Sequence, residues 1–172
     1  MNAKKILVPV TLTEGSGAAL AVASTLAQDL AATVVLLHVV LDEASEETVR
    51  ARDVLRQLAA KTHLQIPVES VICAGIPARK IVEKCEELHA DAIVMSSHGS
   101  SGWLNWLHRQ TARHVLRQVS CPVWVIFPGP AGKIPILSLF ANREAREHFP
   151  QAGRSAKLFP FPASLRVLMP QG

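Results

Sequence analysis

At 172 residues, 49% of them hydrophobic, the chain fits one domain with a sizeable core and leaves no room for a second full domain. Its formal net charge of +4 belongs to one end: residues 1–127 carry 12 Lys+Arg against 12 Asp+Glu, and residues 128–172 carry 6 against 2. Those late charges (Lys133, Arg143, Arg146, Arg154, Lys157, Arg166) are scattered without interleaved aromatics, which argues for a solvated tail and no nucleic-acid partner.

Three cysteines, Cys73, Cys85 and Cys121, show no CxxC spacing and no histidine at ligand distance in sequence. They read as reduced core residues, with neither a disulfide framework nor a metal site indicated. No apolar run approaches the roughly 18 residues that would span a bilayer, and the start of the chain lacks a signal-peptide pattern. The expectation is a cytoplasmic protein with no membrane partner.

In chain order, Lys5-Ile6-Leu7-Val8-Pro9-Val10 is a short apolar strand, followed by a polar turn. A helix follows with Ala19, Val22, Ala23, Leu26 and Leu30 at spacings of three and four. Thr33-Val34-Val35-Leu36-Leu37-His38-Val39-Val40 is a near-continuous hydrophobic strand of the kind buried on both faces, and His38 within it reads as a satisfied core residue. Ser45 is placed to cap a second helix with Val49, Val54, Leu55 and Leu58 inward. A third strand is expected over residues 66–73.

Gly75-Ile76-Pro77 gives the clearest helix start, a turn glycine before a proline suited to a first helical position. Ala78, Ile81, Val82, Cys85 and Leu88 form that helix's apolar stripe. Asp91-Ala92-Ile93-Val94-Met95 is the fourth strand, and a polar glycine loop follows over residues 96–102. The next helix has Thr111, Ala112, Val115, Leu116 and Val119 on one face, and Cys121-Pro122-Val123-Trp124-Val125-Ile126-Phe127 is the fifth strand. Beyond Phe127 prolines recur, so residues 1–127 form the domain and residues 128–172 a Pro-rich basic tail, weakly structured, with one short helix over 142–148.

Strands alternating with helices predict an α/β fold: a five-stranded parallel, doubly wound, Rossmann-like sheet with helices on both faces. Ligands in such folds bind at the carboxyl ends of the strands, where strand order reverses. Here that means the turns after Val10, Val40 and Met95.

Four segments in order, Lys5 to Val10, Leu37-His38-Val39, Gly75-Ile76-Pro77-Ala78, and the run DAIVMSSHG from Asp91 leading to Cys121-Pro122-Val123, resemble the universal stress protein family over residues 1–127. The resemblance implies an adenine-nucleotide-hydrolase-like fold and a nucleotide site. Members that bind ATP carry a glycine, two residues, a glycine, nine residues, then Gly-Ser or Gly-Thr at the head of the last helix, where backbone amides approach the phosphates.

Counting that spacing back from Cys121-Pro122-Val123 puts Ser96-Ser97-His98-Gly99 in place of the first half and Arg109-Gln110 in place of Gly-Ser. The other register, Gly99-Ser100-Ser101-Gly102, ends on Ala112-Arg113. Either way the second half is lost. The aspartate that such members carry directly after the first strand is Thr11 here, and a hydroxyl cannot match a carboxylate bridging two donors. The resemblance therefore implies a site drawn from Pro9, Val10, Thr11, Val39, Ser96, Ser97, His98, Gly99, Arg109, Gln110 and Thr111, with no catalytic residue.

Two readings stand. The first is a non-enzymatic regulatory module of the stress response, homodimeric, without a cofactor. The second is an ATP-binding protein, with slow hydrolysis at most, in which Arg109 replaces the phosphate-loop glycine. The resemblance implies that two subunits pair through the edge strand from Pro122 to Phe127, which would otherwise be bare. The apolar patch Trp103-Leu104-Asn105-Trp106-Leu107, expected in a loop, and the tail are the candidate surfaces for a protein partner; the tail could instead dock into the cleft.

Overall fold

A computed structural model describes residues 4–12, 16–60, 65–96, 102–126 and 136–139, the backbone alone for 102–109 and 136–139. Its elements run β1 (Lys5–Pro9), α1 (Ser16–Leu30), β2 (Thr33–Val40), α2 (Glu46–Ala60), β3 (Val68–Ala74), α3 (Pro77–Glu87), β4 (Ala92–Ser96), α4 (Gly102–Gln118), β5 (Val123–Ile126) and β6 (Ile136–Leu139). The sheet order is β3-β2-β1-β4-β5-β6. The first five strands are all parallel, as expected from their alternation with helices.

Side-chain alternation along each strand divides the core in two. Ile6, Val8, Val34, Leu36, Val94 and Ile126 point to the face covered by α1 and α2, where they meet Val22, Leu26 and Leu55. Leu7, Val35, Leu37, Ile93, Val123 and Val125 point to the face covered by α3 and α4, against Ile81, Val82, Val115 and Val119. Each fully buried aliphatic side chain contributes about 1.5–3 kcal/mol, so the strand register is fixed from both sides at once.

The β3 ladder begins at Val68 rather than Ile66, because Pro67 has no N–H to donate; its carbonyl instead accepts from Val34 N at 2.9 Å. Helix α2 is rotated from the expected phase: Thr48, Ala51 and Leu55 are buried, while Val49 is 61% exposed. Thr48, Ala51 and Leu55 also fall three and four apart, and one more apolar residue on the outer face misled the pattern. Ser45 does not cap with its side chain, since its Oγ donates back to Asp42 O at 2.6 Å. Gly75, at φ 140°, turns the chain from β3 into α3 in a conformation that L side chains rarely adopt, and its N–H donates to Val40 O at 2.9 Å.

The expected sheet edge at the fifth strand is corrected by β6, which pairs antiparallel with β5 through the register Val123↔Leu139 to Ile126↔Ile136. A four-residue strand between prolines leaves almost no periodic signal in sequence. Helix α4 starts at Gly102, so residues 103–107 are helical backbone and not loop. Leu104, Leu107, Thr111 and Val115 fall three and four apart, and the helical period simply begins earlier than the glycines suggest. The expected helix over 142–148 lies outside the described residues.

Candidate functional site

The strand order reverses between β1 and β4, and the carboxyl ends of β1, β2 and β4 open there into a cleft of about 110 Å³. Of the residues expected in the site, Pro9, Val10, Thr11, Val39, Ser96 and Thr111 line it. Ser97, His98 and Gly99 lie outside the described residues. Gln110 is exposed, and Arg109 is described only as backbone within α4.

The walls also include residues that sequence reasoning passed over. Leu37, Pro77, Ile81 and Met95 supply apolar surface, and Ser16 and His38 supply the polar atoms that shape the first turn. The Ser16 hydroxyl donates to Thr11 O at 2.8 Å and accepts from Thr11 N at 3.1 Å. One side chain therefore takes up both backbone groups of the residue that replaces the expected aspartate.

His38 is buried, and its Nδ1 lies 2.9 Å from Val10 O. A carbonyl only accepts, so Nδ1 carries the proton there. Nε2 is buried and, among the described residues, without a hydrogen-bond partner; Glu47 Oε1 stands 3.7 Å away. The core-histidine expectation thus holds for one ring nitrogen and not for the other. Val10 N donates to Leu37 O of β2 at 2.8 Å, which extends the β1–β2 pairing one residue into the turn.

The opposite wall differs from the expectation that residues 109–110 head the last helix. Seven residues, or roughly 10 Å at 1.5 Å per residue, separate Gly102 from Arg109. The amides of 109–111 therefore lie in the helix interior, committed to carbonyls four residues back, whereas only the first four amides of a helix are free for a ligand. Among the described side chains of α4, Thr111 is the one that lines the cleft.

Among the described residues, no three His, Cys, Asp or Glu side chains converge as a metal site, and no helix is long and apolar enough to cross a membrane.

Comparison with known proteins adds independent findings. A family model described as the universal stress protein family matches residues 2–126. The universal stress protein MJ0531 of Methanocaldococcus jannaschii is 31% identical over 91 residues, 53% of this chain and 51% of the relative, so the match spans about half the length of that curated protein. Among solved structures, the hypothetical protein MJ0577, subject of a structure-based functional assignment, is 26% identical with a TM-score of 0.63, covering 74% of this chain and 98% of its own. A universal stress protein from Archaeoglobus fulgidus shares the fold at 18% identity and a TM-score of 0.59, covering 72% and 97% of the two chains. Another, solved in complex with cAMP, does so at 19% and 0.58, covering 71% and 95%.

Proposed function

The chain belongs to the universal stress protein family, and on that premise we propose that it is a regulatory binding module of the stress response, without enzymatic activity, whose nucleotide site has little or no affinity for ATP. The observation that carries this reading is the start of α4 at Gly102. A phosphate cradle needs free backbone amides at a helix N-terminus, and the described α4 residue that lines the cleft, Thr111, stands about two and a half turns beyond that start.

Two further features support it. Thr11 stands where a carboxylate would hold a nucleoside, and its own backbone is taken up by Ser16. The cleft volume of about 110 Å³ is below the roughly 300–1,000 Å³ usual for small-molecule sites. Substitution of the glycine by Arg109 gains nothing from the helix geometry, because two residues along a helix turn roughly 200° and set position 109 on the side away from Thr111.

Pairing of two copies through β5 would require β6 to leave, since β5 already has β4 on one side and β6 on the other. We therefore infer that the module acts through protein contacts that do not use the β5 edge while β6 is in place.

Thermal unfolding of the full chain with and without millimolar Mg-ATP tests the nucleotide claim. Ligand at about 100 times its dissociation constant stabilises by roughly 2.7 kcal/mol, which at about 2–4 °C per kcal/mol is a rise of about 5–10 °C. The expected result is no shift. A rise of that size, or a micromolar dissociation constant by calorimetry, overturns the reading.

A further inference from the structure

Two of the three cysteines meet across the α3/α4 face. Cys85 stands on the apolar stripe of α3 and is 6% exposed; Cys121 lies in the turn that leads into β5 and is half-buried. Their sulfurs are 3.4 Å apart, within hydrogen-bonding distance. A disulfide needs about 2.05 Å, so bond formation has to close roughly 1.4 Å between the sulfurs. Neither thiol lines the cleft.

We propose that Cys85 and Cys121 form a redox-sensitive dithiol, oxidised by small hydroperoxides to an intramolecular disulfide that fastens α3 to the entry of β5. The hydrogen bond between the two sulfurs, in which either can donate, lowers the Cys85 thiol from its ordinary pKa against burial and, with burial, raises Cys121. Cys85 is accordingly taken as the nucleophile and Cys121 as the resolving thiol, an order that the Cys121→Ser variant decides.

In the first step the Cys85 thiolate attacks one peroxide oxygen, the O–O bond breaks, and Cys85 becomes a sulfenic acid while the other oxygen leaves as hydroxide, or as alkoxide from an organic peroxide, and takes a proton. In the second, the Cys121 sulfur attacks Cys85 Sγ, the S–O bond breaks, and the departing oxygen leaves as water with the Cys121 proton. Two electrons pass from the sulfurs to the peroxide, so with hydrogen peroxide two thiols yield one disulfide and two waters. Cys73, on β3, is the internal control: burial raises its pKa, and among the described residues the cysteine–cysteine hydrogen bond joins the other two.

The link would also bear on the cleft. Ile81, which lines it, stands one helical turn before Cys85 on the same stripe of α3.

The experiment treats the reduced full chain with a modest molar excess of hydrogen peroxide, quenches, alkylates the remaining thiols under denaturing conditions, and maps the peptides by mass. Three alkylatable thiols should fall to one, with that one at Cys73, alongside a Cys85–Cys121 crosslinked peptide that dithiothreitol reverses. In Cys121→Ser, oxidation should stop at a sulfenic acid on Cys85 that dimedone traps. Three thiols still alkylated, a crosslink through Cys73, or a crosslink between chains would each overturn the proposal.

Discussion

The two faces of the sheet are built from adjacent residues of the same strands yet differ in chemistry. Leu36 sends its side chain toward α1 and α2, and Leu37, its neighbour, toward α3 and α4. The first compartment is mainly aliphatic packing that includes Trp124, and its buried members reach the cleft at Val10. The second holds, among the described core residues, Cys73, Cys85 and Met95, with Cys121 packed against it, and its upper end opens into the cleft through Leu37, Ile81 and Met95. Strand alternation therefore sends neighbouring residues into compartments of different chemistry, the cysteines on one face and the cleft bordered from both, since Val10 of the first cluster lines it together with Ser16 and His38.

The largest expected effect tests that division directly. Leu36→Ala and Leu37→Ala each remove a side chain that is at most 1% exposed, at a cost of about 2–5 kcal/mol. Leu36→Ala leaves a dry hole in a closed core, whereas Leu37→Ala widens a cleft that water already reaches, which reduces the cavity contribution. Urea unfolding should therefore show the larger loss for Leu36→Ala. An equal or reversed order would mean that the cleft side is packed as tightly as the supporting side, and the comparison would fail.

Next in size is the junction of the two compartments at the β1–α1 turn. Ser16→Ala removes both hydrogen bonds to Thr11, and about 1–2 kcal/mol of stability should go with them. A loss below about 0.5 kcal/mol in urea unfolding would show that water replaces the hydroxyl at no penalty and that the turn is not held by Ser16.

The supporting face was legible in the sequence because its signals repeat: the runs Lys5 to Val10 and Thr33 to Val40 announce buried parallel strands, and Pro77 after Gly75 announces the helix that begins there. The site was legible at the strand ends it borrows, Pro9, Val10, Val39 and Ser96, and at Thr11 and Thr111. Ser16 escaped because its partners are backbone atoms of Thr11, which no residue pattern reports. The start of α4 escaped because Gly99, Ser100, Ser101 and Gly102 read as loop while the apolar spacing from Leu104 onward was already helical. The pairing of Cys85 with Cys121 spans 36 residues and arises only when α3 and the β5 entry pack together.

The smallest expected effect concerns the outer edge of α3, where Lys80 pairs with Glu83 at 2.8 Å and Lys84 with Glu87 at 2.6 Å. The hydrogen bond from Lys80 holds the Glu83 carboxyl below its ordinary value of 4.5, so whatever the pair contributes is present above that value and disappears as pH falls through the lowered one. Lys80 is correspondingly raised above 10.5 by its hydrogen bond to Glu83, so its share is present below 10.5 and disappears as pH rises through the raised value. Across the neutral range the contribution is constant, and for exposed pairs it is slight. Glu83→Gln should leave the Tm at pH 7 unchanged within error and alter only the acid and alkaline limbs of a stability–pH profile. A drop of several degrees at pH 7 would mean that α3 is anchored by its ion pairs rather than by Ile81, Val82 and Cys85, and the reactive face would then owe its order to its surface instead of its core.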